Sequence, residues 1–258
     1  MCLIGFNWNN HPRYRLIFIA NRDEFYKRPT TAAHYWTDTS QVLAGRDLEA
    51  GGTWMGISLS GQFTALTNYR DPQNIKAPAP SRGMLTANYL WGQQQPEAYL
   101  ENLLPQADEY NGFNLLVGNV EHLYYFSNYE NKIRQITPGL YGLSNHLLDT
   151  PWYKVVRLKE KMALEIQKEE PSVAHLLNLL HDLDVPTDDR VQQTGLSLEW
   201  ERMLAPLFIQ SNDYGTHSSS AVLIDHQNRV SFTERKYAPR SEQYSEQHFT
   251  FTIQQRPD

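Results

Sequence analysis

Residues 2–25 constrain this chain more than any other stretch. Two apolar segments, Cys2-Leu3-Ile4-Gly5-Phe6-Asn7-Trp8 and Tyr14-Arg15-Leu16-Ile17-Phe18-Ile19-Ala20, flank Asn9-Asn10-His11-Pro12-Arg13. Aromatic and β-branched residues favour strands, whereas Asn and Pro favour turns. The pattern predicts a hairpin. A turn about His11 pairs positions that sum to roughly 22, setting Cys2 opposite Ala20 with Arg22 and Asp23 emerging beside it.

Cys2 is the one cysteine in 258 residues and directly follows the initiator. Aminopeptidases generally trim Met ahead of a small residue. The mature chain is therefore expected to begin on Cys2, which would carry both a thiol and an α-amino group of pKa ~7.7–8.0. A nucleophile whose base is its own terminal amine is an established catalytic arrangement. A guanidinium at Arg22 would favour the thiolate, and the Asp23 carboxylate could orient the amine. The plainer alternative is a buried cysteine on an apolar strand, flanked by surface charge. Spacing alone leaves both open.

The rest of the chain narrows the class. Its hydrophobic content of 40% supports a packed core, and its length suits one large domain or two small ones. Net charge of -6 argues against nonspecific nucleic-acid binding, which needs a basic face. A single cysteine excludes an intramolecular disulfide and points to a reducing, cytoplasmic setting. Neither a secretory signal nor a transmembrane run is expected.

Strand patterns are expected at 42–47, 53–58, 62–68, 113–118, 122–127, 133–136, 140–146, 219–225 and 229–234, with a final edge strand at 249–253. Helical patterns fall at 83–91, 96–104, 152–168, 172–183 and 198–209. Tyr26 to Thr31 and the proline-rich 71–82 read as loops. This order predicts an α+β fold of two stacked antiparallel sheets between helical layers, an α-β-β-α sandwich forming a single domain over 1–258.

Metal-ligand spacing, a phosphate loop and a Gly-x-Ser-x-Gly elbow are all missing. What remains is polar residues at strand ends: Arg22, Asp23, Asn68, Asn145 and His217. Strand-terminal amides can stabilise an oxyanion, although Asn is also a common turn former.

Those residues sit in recognisable surroundings. Met1-Cys2, Asn21-Arg22-Asp23-Glu24-Phe25, Arg28-Pro29 and Gly45-Arg46-Asp47 are joined by Gly51-Gly52-Thr53-Trp54-Met55-Gly56 and Thr67-Asn68-Tyr69-Arg70. With Gly112-Phe113-Asn114, Leu143-Ser144-Asn145 and Tyr214-Gly215-Thr216, the chain resembles the NRDE family, which includes the transport and Golgi organisation proteins. That family is similar to N-terminal-nucleophile hydrolases. The resemblance implies that Cys2 is a nucleophile for a linear amide or thioester, that Arg22 and Asp23 support it, and that Asn68 and Asn145 line the oxyanion side. No cofactor is required for that chemistry. As an alternative, the resemblance implies a non-catalytic carrier for haem or for acyl-CoA or another lipid on the same fold, with His146 or His217 as candidate haem ligands. The expected partner is thus a small amide, acyl or haem ligand. Where the family pattern has Arg after Tyr-Gly-Thr, this chain has His217, which would exchange a guanidinium for a pH-sensitive imidazole.

Overall fold

The computed structural model describes residues 2–39 and 41–254. The opening hairpin is β1 (Cys2–Trp8) and β2 (Tyr14–Phe25). Its register is Cys2↔Arg22, Ile4↔Ala20 and Trp8↔Leu16, so the turn centres on Pro12 and not on His11. The reason is local. His11 is buried, and its Nδ1 accepts the backbone N–H groups of Arg13 and Tyr14. This side-chain trap lengthens the turn and moves the partner of Cys2 by two residues. An even shift keeps every side chain on its expected face.

The other strands are β3 (Thr30–Tyr35), β4 (Val42–Asp47), β5 (Met55–Ser58), β6 (Phe63–Asn68), β7 (Phe113–Gly118), β8 (Leu123–Ser127), β9 (Arg134–Gln135), β10 (Gly139–Leu143), β11 (Tyr214–Asp225), β12 (Arg229–Tyr237) and β13 (Tyr244–Thr252). The helices are α1 (Gly83–Trp91), α2 (Pro96–Leu103), α3 (Tyr153–Glu165), α4 (Val173–Leu179) and α5 (Leu198–Met203). Among the described residues a six-stranded sheet runs β10-β1-β2-β11-β12-β13 and a seven-stranded sheet runs β3 to β9 in sequence order. All strand pairs are antiparallel.

Alternation along the strands builds the layers. Ile4, Phe6, Leu16 and Phe18 face Leu43, Ile57, Phe63 and Leu116 of the other sheet and fill the space between the sheets. Leu3, Ile17 and Ile19 point the other way, onto Val155, Leu158 and Met162 of α3 and Leu176 and Leu177 of α4. On the far side, Leu85 of α1 and Leu100 of α2 cover Leu115 and Val117. Burying one such side chain contributes about 1.5–3 kcal/mol. The result is the expected α-β-β-α sandwich. Helix α3 lies unusually close to its sheet, because a Cβ on Gly142 would meet Val155 at 2.7 Å, and one on its cross-strand partner Gly5 would meet Leu158 and Met162 at 3.0 Å.

Several expectations are corrected at element ends. Thr30 and Thr31, expected in a loop, instead open strand β3, which no strand pattern predicted. Helix α3 ends at Glu165, α4 at Leu179 and α5 at Met203, each short of its predicted end. Leu204, Leu207, Phe208 and Ile209 beyond α5 are buried without continuing the helix. Leu164 of α3 is 69% exposed. Strand β13 starts five residues earlier than its aromatic run suggests, at Tyr244. Among the described residues no helix is long and apolar enough to cross a membrane.

Candidate active site

Cys2 and Arg22 are cross-strand partners on the same face of the hairpin, and they open together into a cavity of about 320 Å³. Arg22 is buried, with its guanidinium carbon 4.4 Å from the centre of the Trp54 ring. Gly45 makes room for that indole, since a Cβ there would meet the ring at 2.4 Å. Asp47 lies 3.8 Å from Arg22 Nη2 and accepts from Arg28 Nε at 2.6 Å. Arg22 Nη1 is buried with no hydrogen-bond partner among the described residues. Burial pushes the Cys2 thiol pKa up; the Arg22 charge and the Asp23 backbone N–H oppose this without reversing it. The guanidinium acts in the expected direction, and desolvation outweighs it.

Asp23 follows the helix-facing side of β2, two residues beyond Asn21, whose amide donates to the Leu180 and Leu207 carbonyls. One Asp23 oxygen accepts from Thr216 Oγ1 at 2.7 Å, and its backbone carbonyl accepts from Tyr214 at 2.9 Å. Burial raises the Asp23 pKa, while Lys154, the Thr216 hydroxyl and Arg22 pull against it. Whether Met1 is removed to free the Cys2 amine lies outside the described residues.

The two asparagines play different parts. Asn68, at the end of β6, lines the Cys2 cavity. Asn145 is fully buried and is not among the lining residues. Its Nδ2 donates to the Asn68 carbonyl at 2.9 Å. Its neighbour Ser144 donates to the Cys2 carbonyl at 3.0 Å and to Asn145 Oδ1 at 3.3 Å. Asn145 therefore ties the end of β6 to the start of β1.

A second, predominantly apolar trough of about 440 Å³ adjoins the first, lined by Phe25, Tyr69, Ile75, Leu196, Trp200 and Leu204. The two cavities share Glu24, Asn68, Arg82 and Asn111. Arg82 donates to the Gly112 carbonyl at 2.8 Å and has no carboxylate within ion-pair distance among the described residues.

Neither candidate histidine lines either of these two cavities. His146 packs against Tyr69 and Trp152 and bonds Thr150 through Nδ1 at 2.8 Å. His217 is the extra residue of a bulge, because Thr216 pairs with Asp23 and Ser218 with Arg22. The bulge turns its ring outward onto Tyr26, where Nε2 donates to the Phe25 carbonyl at 3.1 Å. Burial and the Arg22 charge lower its pKa to about 4. The pH-sensitive imidazole expected there is neutral across the physiological range. No cluster of three or more His, Cys, Asp or Glu suited to a metal occurs among the described residues.

Sequence reasoning missed Trp54, Arg82 and Lys154 as parts of the site. Only Lys154 had a usable signal: it stands four residues before Leu158 and eight before Met162, on the apolar face of α3.

Two stacked antiparallel sheets between helical layers, with a cysteine at the start of β1 opening into a cavity, define the N-terminal-nucleophile hydrolase fold. A Cys-to-Ala variant of the conjugated bile acid hydrolase from Clostridium perfringens shares it with a TM-score of 0.51 at 9% identity, over 98% of this chain and 97% of that one. The chain belongs to the Transport and Golgi organisation 2 family, whose pattern matches residues 1–239. It is 38% identical to the Bos taurus Transport and Golgi organization protein 2 homolog, over 91% of this chain and 92% of that protein. It is 33% identical to the Homo sapiens homolog, over 98% and 100%, and 30% identical to the Drosophila melanogaster protein, over 91% of each.

Proposed function

We propose that this chain hydrolyses an acyl amide or thioester, with Cys2 as nucleophile. The observation that carries the reading is the continuity of the two cavities. A polar chamber holds Cys2, and an apolar trough able to take an acyl chain shares a wall with it.

In this mechanism Cys2 Sγ attacks the carbonyl carbon, and the thiol proton passes to the α-amino group of Cys2 once Met1 is gone. Asn68 stands on the oxyanion side, with Asn145 fixing the strand end that carries it. Collapse of the tetrahedral intermediate breaks the C–N or C–S bond, and the leaving amine or thiol takes the proton. Water then cleaves the Cys2 thioester, releasing the acid and restoring the thiol. Arg82, on the shared wall and with no carboxylate within ion-pair distance among the described residues, suits an anionic substituent on the leaving group.

The test uses protein whose intact mass shows that Met1 is absent. Acyl thioesters of 3-mercaptopropionate and matching N-acyl anilides are offered in a chain-length series. Turnover that Cys2→Ala abolishes, with the melting temperature kept, is the expected result. Full turnover in Cys2→Ala, or none in the trimmed wild type, overturns the reading.

A second reading draws on one feature: Cys2 does not itself line the trough. An acyl-lipid carrier would fill the trough without turnover. Saturable acyl binding in a trimmed wild type that cleaves no member of the series would select it.

A further inference from the structure

Glu201 is buried, whereas its neighbours Glu199 and Trp200 on α5 are exposed. Its carboxylate gathers three segments of the trough wall. Oε1 accepts the backbone N–H and the hydroxyl of Thr194 at 2.7 and 2.6 Å, which holds the loop that carries Leu196 against α5. Oε2 pairs with Arg70 Nη1 at 2.9 Å, and both partners are buried. Glu201 itself stands in the chain between Trp200 and Leu204, which both line the trough. A buried carboxylate held by charge-assisted and backbone hydrogen bonds is fixed in direction as well as in charge.

From Arg70 the same set of bonds runs on to the nucleophile. Arg70 stands two residues past Asn68, and its guanidinium carbon lies 5.0 Å from the centre of the Trp152 ring. Its backbone N–H donates to the Asn145 carbonyl at 2.8 Å, and Asn145 Nδ2 donates back to the Asn68 carbonyl at 2.9 Å. This reciprocal pair sets residues 68–70 against Asn145. Ser144 then donates to the Cys2 carbonyl at 3.0 Å. A continuous run of one ion pair and several hydrogen bonds thus joins α5 to the strand that carries Cys2.

The outer end of that run is the loosely packed one. Helix α5 has six residues, and Trp200 faces outward from it. An acyl chain lying in the trough would cover Trp200 and Leu204, and it gains those contacts only where α5 is seated with Glu201 on Arg70. A ligand shifts a protein toward the arrangement that it binds better.

We propose that the Glu201–Arg70 pair is a specificity-determining link. Glu201 acts as a positioning residue: it converts occupancy of the trough into placement of Asn68 beside Cys2, so that long acyl chains are selected in kcat and not only in KM. The kinetic part rests on the hydrolase reading above; the link from trough to Asn145 does not.

The experiment takes two readouts on the full chain lacking Met1. The first is kcat across the acyl thioesters of 3-mercaptopropionate. Wild-type kcat is expected to rise roughly 5- to 10-fold from the acetyl to the dodecanoyl substrate. In Glu201→Gln that rise should vanish, with the loss falling on the dodecanoyl substrate, and Glu201→Asp, which keeps the charge, should recover part of it. The second is the NMR signal of the Asn145 side-chain amide, which lines neither cavity. Saturating dodecanoate should shift that signal in the wild type and leave it in place in Glu201→Gln, although dodecanoate still binds there. A wild-type kcat independent of chain length overturns the proposal. So does a folded Glu201→Gln that keeps the rise, or that loses kcat equally on acetyl and dodecanoyl substrates. An Asn145 signal that dodecanoate shifts equally in both proteins, or in neither, overturns it as well. Loss of dodecanoate binding in Glu201→Gln does the same, because the pair would then only build the wall. If Glu201→Gln does not fold, Arg70→Met/Glu201→Leu takes its place, since it leaves no buried charge unanswered. Absence of turnover in the trimmed wild type sinks the hydrolase reading and leaves the NMR result to decide the link.

Discussion

The cavity at Cys2 is walled by charge: Arg22, Arg28 and Arg82 stand against Asp23, Glu24 and Asp47. Across Asn68 and Arg82, the trough is walled by Phe25, Tyr69, Ile75, Leu196, Trp200 and Leu204. The first wall is cross-braced, with Arg22 stacked on Trp54 and Asp47 holding Arg28. In the second, Ile75 is 69% and Trp200 42% exposed, so large apolar groups face solvent with little packed on them. A braced charged wall is preorganised for a defined bond rearrangement. An unbraced apolar wall suits a chain of variable length. On the proposed reading, chemistry falls to the first cavity and chain binding to the second.

The largest expected effect separates those two roles. Cys2→Ala should lower kcat by roughly 10³-fold or more, while an acyl chain still binds the trough with unchanged affinity. Stability should change by under about 1 kcal/mol, since only a small, partly exposed side chain is trimmed. Kinetics, fluorescence titration and thermal melts of the one variant check all three. Loss of binding together with turnover would mean that the two cavities act as one.

The braced cavity was the more legible of the two in the sequence, for a physical reason. Strand alternation has a period of two, so Cys2 and Arg22 could be put on one face even with the turn misplaced by the His11 trap. The trough draws its walls from β2, the proline-rich loop, α5 and β11, and no local pattern announces such an assembly. Strand β3 was hidden because Thr30-Thr31-Ala32-Ala33 lacks apolar alternation. Glu234 and Lys236 of β12 hold it through the Ala33 N–H and the Thr30 carbonyl. Strand β13 is mostly exposed and is held by its ladder to β12. His217 could be found but not aimed, because a bulge turns its side chain away from the strand-end cluster. Lys154 read as one more charge on an amphipathic helix, although its spacing placed it with Leu158 and Met162.

Next in size is the shared wall. Arg82→Met should cost about 10-fold in kcat/KM on thioesters with an anionic leaving group, the scale of one charge-assisted hydrogen bond at a partly wet site. Neutral leaving groups should be cleaved at nearly the wild-type rate. An equal loss on both would place Arg82 in the fold of the α1 entry, through its bond to Gly112, and would remove the anionic-substrate clause.

Trp200→Ala sharpens the comparison from the trough side. Long-chain substrates should lose about fivefold in kcat/KM, as expected for about 1 kcal/mol of apolar contact, and acetyl substrates should lose nothing. A chain-length plot of kcat/KM for both proteins reads this directly. Parallel lines would show that the acyl chain does not run through the trough.

The smallest effect on activity, none, is expected at Asp182, which lines neither cavity. Burial would raise its pKa, but hydrogen bonds from Arg157 at 2.6 Å and from Lys161 more than reverse this and bring it down to about 2. The folded state therefore binds the proton less readily than the unfolded chain. The stabilisation is fully present above about pH 4 and is lost as pH falls through about 2. Discounted for the solvent around Arg157 and Lys161, it amounts to about 1 kcal/mol. Asp182→Asn should lower stability by that amount at pH 7, and the difference from wild type should be clearly smaller at pH 2.5, on the way to being lost below about pH 2. Denaturant melts at pH 7 and pH 2.5 measure the stability, and kcat for the acyl thioester series measures the activity. A change in kcat at pH 7 would mean that the α3–α4 layer acts on Cys2 from behind its sheet. That layer could then no longer be treated as a passive support behind the braced cavity.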